Sequence, residues 1–309
     1  MKILVTGGAG FIGSHILDLL VAEGYETVVI DNLMTGQRRF VPPGARLFEM
    51  DITSPQVETV FAQVKPDYVI HLAAQIDVAK SILDPVNDAR HNILGTLQIL
   101  HCCHKYQVRK IIFSSSCAVY GKTDDCSITE TFPIQPISFY GVSKQLSEMY
   151  IQFYHSFYGL PFTILRYANV YGPRQGVRGE GGVISIFMQK WMDQEMPIVY
   201  GTGEQTRDFV YVKDVALANV RSLSRGNNGI FNIGSNQKTS INDLLRLMSL
   251  THSRELPILY QPGREGDIPY SRLDHAKAKV SLDWEPRYDL RTGLSETLEF
   301  FQRESYRGV

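Results

Sequence analysis

The sequence predicts an α/β protein built on a doubly wound parallel sheet, followed by a smaller, loop-rich α/β lobe. Three observations predict it. Apolar runs of strand length recur through the first half, separated by helix-length amphipathic stretches. Such alternation builds a parallel sheet covered by helices on both faces. The first run, Lys2 to Thr6, breaks into Gly7-Gly8-Ala9-Gly10-Phe11-Ile12-Gly13 and then into a helical pattern. After about residue 170 the texture changes to glycine-rich loops and short elements.

Taken in order, Ile12, Ile16, Leu19 and Leu20 give the first helix its apolar face. Val28-Val29-Ile30 is a second strand ending at Asp31, 18 residues beyond Gly13. Strand, glycine turn, helix and a distant acid form the Rossmann-type fingerprint. Gly7 allows the tight turn, Gly10 the backbone approach to a pyrophosphate, and Gly13 the close packing of helix on strand. The free N–H groups at the helix start face the phosphates. Asp31 meets the adenosine ribose hydroxyls and repels a 2′-phosphate, so NAD is expected over NADP.

Residues 46–50 read as a third strand, 55–64 as a helix and 68–71 as a fourth strand. A long helix is expected over 86–106, a fifth strand over 110–113 with Ser114, Ser115 and Ser116 at its end, a helix over 140–158 and a sixth strand over 162–166. Ligands of such sheets sit at the C-terminal strand ends. That singles out Asp31, Asp51, Ala73, Ser116 and Tyr167. The expected division is a dinucleotide-binding domain over 1–170 and a mainly substrate-binding lobe over 171–309. In the second half, helices are expected at 183–193, 213–224, 241–250 and from about 290, and strand-like pieces near 198–200 and 207–212. A strand near 230–234 is expected to return to the main sheet.

The bulk numbers exclude several classes. A net charge of −1 with pI near 6.7 leaves no broad basic field for nucleic acid or an anionic membrane. No apolar run reaches the roughly 18–20 residues of a membrane span. Four cysteines, two of them adjacent, make no disulfide framework, so a cytoplasmic setting is expected. His101-Cys102-Cys103-His104 resembles a metal cluster, but four consecutive helical residues diverge by about 100° each and cannot close a tetrahedron. No metal site is expected.

Tyr140 and Lys144 stand one helical turn apart on one face. A phenol of pKa about 10 is too weak an acid to serve as a base at neutral pH. A neighbouring ammonium and a positive nicotinamide ring would favour the phenolate, which makes Tyr140 a candidate acid/base. Ser116, at the end of the fifth strand, could bond a substrate oxygen or share a proton with Tyr140. The bland alternatives are a surface Tyr/Lys pair and a serine run that satisfies strand-end backbone.

With these residues stand His71-Leu72-Ala73-Ala74, Ser114 to Gly121, Leu165 to Pro173, Thr206 to Val212 and Pro262 to Asp267. As an ordered set covering almost the whole chain, they resemble the extended short-chain dehydrogenase/reductase superfamily. Within it the likeness is to the UDP-glucose 4-epimerase and UDP-N-acetylglucosamine 4-epimerase family. The resemblance implies NAD held by Gly7, Gly10, Phe11, Ile12, Asp31, Asn32, Gly36, Asp51, Ile52, Leu72, Ala73, Ala74, Ser114, Tyr140, Lys144 and Tyr167. It implies a nucleoside diphosphate sugar held by Ser116, Asn169, Gly182, Val183, Val199, Tyr200, Arg207, Arg264, Asp267 and Ser271. Guanidinium forks suit a diphosphate, which fits Arg207 and Arg264, although each has an acidic neighbour, Asp208 or Glu265, that a surface salt bridge would use. The implied catalytic set is Tyr140, Lys144 and Ser116, and the implied assembly is a homodimer through the two long helices.

Two departures from the family pattern stand out. Some relatives carry a cofactor-touching lysine just after the fourth strand, where this chain has Gln75-Ile76-Asp77. The 4,6-dehydratases place acids directly after the catalytic hydroxyl, where this chain has Cys117 and Ala118. That argues against dehydration. Glucose-restricted relatives often place a tyrosine four residues after the aspartate of Arg264-Glu265-Gly266-Asp267, where this chain has Ser271, with Tyr270 beside it. The expected reaction is therefore 4-epimerisation of UDP-glucose or UDP-N-acetylglucosamine. A 4,6-dehydratase, a UDP-glucuronate 4-epimerase and a non-catalytic NAD-binding regulator are the alternatives.

Overall fold

The computed structural model describes residues 1–177, 182–252, 257–263 and 268–307. Seven strands form one parallel sheet: β1 (Lys2–Thr6), β2 (Glu26–Asp31), β3 (Ala45–Glu49), β4 (Tyr68–His71), β5 (Lys110–Ser116), β6 (Phe162–Tyr167) and, after four short strands, β11 (Gly229–Ile233). The short ones are β7 (Asn169–Tyr171), β8 (Ile198–Tyr200), β9 (Thr206–Arg207) and β10 (Phe209–Tyr211); β12 (Thr239–Ser240) and β13 (Leu259–Gln261) follow. The sheet order is β3-β2-β1-β4-β5-β6-β11. The chain winds outward one way from β1 to β3, then crosses back to β4 and winds the other way. The switch point between β1 and β4 opens a crevice at the strands' C-terminal ends.

Alternation along the strands divides the core in two. Ile3, Val5, Val29, Ile70, Ile112 and Leu165 face the helices Phe11–Ala22 and Val212–Arg221. Leu4, Val28, Val69, Ile111 and Ile164 face the helices Val57–Val64, Gly95–Lys105 and Phe139–Tyr158. A third apolar cluster, around Trp191, Met248 and Leu298, joins the helices Val183–Met192, Ile241–His252 and Leu290–Arg307. In the suspected metal cluster, Cys102 and Cys103 are buried in the core while His101 and His104 face outward.

The helix expected over 86–106 is interrupted. It runs as Pro85–Ala89, a π turn over Arg90–Leu94, and Gly95–Lys105. The Asn92 carbonyl accepts side-chain bonds from Thr96 Oγ1 (2.6 Å) and Ser147 Oγ (2.8 Å), which compete with the helical ladder there. A helix at Val78–Leu83 was not expected from sequence; Asp77 caps it by accepting the Lys80 N–H at 3.1 Å.

Three histidines lie buried or half-buried. His71 on β4 lies between Thr6 Oγ1 (2.6 Å from Nδ1) and Thr96 Oγ1 (3.0 Å from Nε2). Burial lowers its pKa to about 3. Burial likewise lowers His15, whose Nε2 is 2.9 Å from the Pro173 carbonyl, and His252 to about 4 each. In the unfolded chain each titrates near 6.5. Between those values the unfolded state binds more protons, so stability is complete above about pH 6.5 and is lost as pH falls toward 4. The slope is up to about 1.4 kcal/mol per pH unit for each histidine. Urea denaturation at pH 7 and pH 5 should show this loss, and a His252→Gln variant should show less of it; equal loss in both would contradict the assignment.

Candidate active site

The principal cavity opens at the C-terminal ends of β1, β2, β4, β5 and β6. Fifteen of the sixteen residues expected to hold NAD line it; Gly36 does not. Gly36 instead packs beneath the acid, where a Cβ would come within 2.9 Å of Asp31 Oδ1 and 3.0 Å of Ala9 Cβ. The glycine turn forms the floor. Gly7 has φ +72°, and a Cβ there would lie 2.8 Å from the Ala73 nitrogen. A Cβ on Gly13 would lie 2.2 Å from the Gly7 carbonyl oxygen. The helix at Phe11 starts without a side-chain cap, so its first N–H groups are open to the cavity.

Asp31 braces this turn from β2. Its Oδ2 accepts the Ala9 N–H at 2.9 Å and its Oδ1 accepts the Leu33 N–H at 2.8 Å. Burial raises its carboxyl above the usual range against the pull of those bonds. Asp51 has the opposite balance. Burial disfavours its charge, but bonds from Thr53 and Asn32, with His91 3.4 Å away, outweigh it and hold the carboxyl low. The cradle at Gly7 and Gly13, the open N–H groups and the acceptors of Asp31 fit a dinucleotide pyrophosphate and its adenosine ribose.

Tyr140 reaches the other end of the cavity because its helix seats closely on β5. Ser138 caps that helix, accepting the Gly141 N–H at 3.1 Å. Gly141 permits the approach, since a Cβ there would sit 2.7 Å from the Ala118 carbonyl oxygen. Ser116 Oγ accepts the Ala118 N–H at 3.2 Å and lies beside the Tyr140 phenol. Lys144 is buried and donates to the Ser114 carbonyl at 2.8 Å. Tyr167, also at the cavity, accepts from Asn219 Nδ2 at 2.8 Å.

Burial pushes the Tyr140 phenol well above its ordinary value, and Ser116 is the group that favours the phenolate. The Lys144 ammonium, 5.9 Å from the Tyr140 ring centroid, is itself lowered by burial to about 8. Lys144 alone therefore does not bring the phenol toward neutrality.

The residues expected to hold substrate are more scattered. Ser271 is buried against Cys117, the neighbour of Ser116. Tyr270 lines a second cavity instead, together with Tyr200, Gln205 and Ile268. Arg207 lies on β9, its Nη1 donating to the carbonyls of Ile268 (2.7 Å) and Thr206 (2.9 Å). It does not use Asp208 as a surface partner. Asp208 is buried and accepts from the N–H groups of Ser235, Asn236 and Leu273. Asn169 opens β7, and Gly182 and Val183 start the helix Val183–Met192. Val199, on β8, packs its side chain in the apolar core. Arg264 and Asp267 lie outside the described residues.

Several lining residues were not anticipated. Lys80, on the capped helix after β4, lines the wall where the family lysine is missing. Gln75, Asn87 and His91 join it. The Asp77 cap was the one signal in the sequence that could have placed Lys80 there.

Comparisons with known proteins agree with this geometry. The model of the NAD dependent epimerase/dehydratase family matches residues 3–234. A putative UDP-glucose 4-epimerase of Methanocaldococcus jannaschii is 43% identical over 98% of this chain and 99% of its own length. The UDP-glucose 4-epimerase of Thermotoga maritima, solved with UDP-glucose, superposes with a TM-score of 0.96 at 44% identity, covering 99% and 100% of the two chains. The UDP-N-acetylglucosamine 4-epimerase of Methanobrevibacter ruminantium, solved with UDP-N-acetylmuramic acid, gives 0.94 at 34% identity, covering 98% of each.

Proposed function

The chain belongs to the NAD-dependent epimerase/dehydratase family, and on that footing we propose that it is a UDP-sugar 4-epimerase with tightly held NAD. It interconverts UDP-glucose and UDP-galactose, and also UDP-N-acetylglucosamine and UDP-N-acetylgalactosamine, through a 4-keto intermediate. The observation that carries this reading is that Tyr140 and Lys144, with Ser116 beside the Tyr140 phenol, stand at one end of a cavity whose other end is the glycine turn and Asp31.

Bound there, NAD supplies a hydride acceptor, a hydride donor once reduced, and a positive ring charge that favours the phenolate. The glycine turn, Asp31, Asn32 and Asp51 hold its adenosine half, and Tyr140, Lys144, Ser114 and Tyr167 flank its reacting half. Tyr140 would take the proton of the sugar C4 hydroxyl and, once the 4-keto sugar has turned its other face so that the hydride returns to C4 from that side, give the proton back to the C4 oxygen. Ser116 bridges the phenol and the sugar oxygen. Arg207, Arg264, Asp267, Tyr200 and Asn169 anchor the nucleoside diphosphate while the sugar turns. Cys117 and Ala118 after Ser116 offer no carboxylate for elimination of water, which favours epimerisation over dehydration.

Acceptance of an acetamido group rests on Ser271. It lies against Cys117, whereas Tyr270 lines the second cavity. A Ser271→Tyr variant should lose turnover of UDP-N-acetylglucosamine by about 10²-fold while keeping that of UDP-glucose within a few-fold, as expected for a steric block in a pocket. Equal loss on both sugars would remove Ser271 from the sugar pocket.

The assembly we propose is a homodimer. Met149, Phe153 and Phe157 form an exposed stripe at i, i+4 and i+8 on the helix Phe139–Tyr158, with the Phe153 and Phe157 rings stacked 6.0 Å apart. A second copy of the chain is its occupant. Sedimentation should give a dimer, and Phe153→Glu a monomer. We place the enzyme in the cytoplasm, in keeping with its free cysteines. Among the described residues no helix is long and apolar enough to cross a membrane.

Purified protein incubated with UDP-glucose, UDP-N-acetylglucosamine and UDP-glucuronate, without added NAD, followed by chromatographic separation of epimers, tests the reading. Epimers of the first two support it. Epimerisation of the glucuronate alone, or of none, overturns it.

A further inference from the structure

Behind the cavity wall lies a buried carboxylate that the reaction as described does not use. Asp88, in the short helix Pro85–Ala89, is 1% exposed. Its Oδ1 accepts from Gln75 Nε2 at 2.9 Å and from Asn92 Nδ2 at 3.1 Å. Both donors are neutral amides, so these bonds satisfy the oxygen without cancelling its charge. A buried charge left in that state is costly unless something nearby gains by it.

The two amides lead in useful directions. Gln75 lines the cavity, and its N–H donates to Asn92 Oδ1 at 2.7 Å. Asn92 Nδ2 donates to Ser143 Oγ at 3.0 Å, and the Asn92 carbonyl accepts from Ser147 Oγ at 2.8 Å. Ser143 and Ser147 stand on the helix that presents Tyr140 and Lys144. The π turn over Arg90–Leu94 is what carries Asn92 into this position, and such turns gather at functional sites.

Lys144 is the group that gains. The titratable groups around it are Tyr140 and Glu148 on its own helix, His71 on β4 and Asp88. His71 is neutral. Glu148 is already engaged by Arg166 through two bonds, at 2.9 and 2.6 Å, and by Ser115. Asp88 is the carboxylate whose charge is not spent on another cation.

We propose that Asp88 is a positioning residue of the reaction, tying the wall after β4 to the Tyr140–Lys144 helix through Gln75 and Asn92, and that through this link its charge acts on Lys144. This rests on the reading of Tyr140 and Lys144 as the reacting pair. Burial drives Lys144 toward the neutral amine, and Asp88 is the leading charge that opposes it. The groups acting on Tyr140 are Ser116, Cys117 and Asp88, and the Asp88 charge disfavours its phenolate. Neutralising Asp88 while keeping its shape therefore moves both midpoints toward acid. Lys80, near the same wall, is paired with Asp77 at 3.9 Å.

The test uses holoenzyme carrying Asp88→Asn, with Asp88→Glu as the charge-restoring control. The alkaline limb of the kcat–pH profile should move toward acid by about one pH unit in Asp88→Asn, the low end of what a nearby charge does to a pKa, and return in Asp88→Glu. In parallel, ¹³C-lysine NMR should show the Lys144 midpoint lowered in Asp88→Asn. A limb and a midpoint that coincide with those of the unsubstituted enzyme overturn the proposal, even where activity or stability falls. If Asp88→Asn does not fold, ¹³C-aspartate NMR of the unsubstituted enzyme decides. The Asp88 carboxyl resonance should inflect at the Lys144 midpoint, and a flat response overturns the proposal. These NMR readouts do not depend on which sugar is turned over, so a failure of the 4-epimerase reading would be seen separately, in the epimer assay.

Discussion

Tyr140→Phe is expected to lower kcat on UDP-glucose by about 10³-fold while leaving the NAD content of the purified protein unchanged, the size reflecting loss of a positioned acid/base. The substitution removes one oxygen and keeps the ring, so the helix seated by Ser138 and Gly141 is not disturbed. Tyr140 is half-buried, and among the described residues no hydrogen bond from its hydroxyl holds another element in place, so its loss should cost little stability. The loss should appear in kcat, because Tyr140 is assigned to move a proton and the UDP anchors lie elsewhere. Ser116→Ala should show a smaller loss of the same kind, since Ser116 lies beside the phenol and does not itself take the proton. Steady-state kinetics, with NAD measured in the supernatant of denatured protein, checks both parts. Full activity in Tyr140→Phe would remove Tyr140 as the base.

The largest stability effect is expected at Glu148. Arg166 and Glu148 are each 4% exposed at the side chain, and the carboxylate is held by the guanidinium at two points and by Ser115 Oγ at 2.5 Å. Arg166 also donates to the Tyr120 hydroxyl, which donates to Asn232 Oδ1 on β11. The network joins β5, β6, β11 and the catalytic helix directly behind Ser114 and Ser116. Glu148→Ala leaves a buried guanidinium with one neutral partner, which costs about 3–5 kcal/mol. For a chain of this size that lowers Tm by roughly 6–20 °C. The double variant Glu148→Met with Arg166→Met should recover much of the loss, because no charge is then left unpaired. Calorimetry of the single and double variants checks this. A single variant within about 2 °C of the parent would show that the pair contributes nothing measurable.

What could be read from the sequence was local or periodic. The glycine turn and Asp31 were legible because one strand–turn–helix unit and the next strand contain the whole adenosine end of the cavity. Tyr140 and Lys144 were legible because helical spacing alone puts them on one face. Glu148–Arg166 was not, since a salt bridge between a helix and the following strand leaves no periodic trace. The π turn was missed for the same reason: it depends on Ser147, far along the chain, bonding the Asn92 carbonyl. Whether Ser271 or Tyr270 stands beside Cys117 depends on the one-residue register of a loop, and it is Ser271 that lies against Cys117. Helical spacing placed Lys144 beside Tyr140 but did not show that Lys144 turns to the Ser114 carbonyl. Val199 falls on an inward position of β8, next to the cavity-lining Tyr200.

The most direct measurement follows UDP-glucose deuterated at C4, incubated with purified protein in ordinary water without added NAD. A hydride lent to a resident NAD and recovered within one active site predicts UDP-galactose that keeps its deuterium at C4. UDP-galactose carrying solvent hydrogen at C4, or no UDP-galactose from protein that demonstrably contains NAD, would contradict the account.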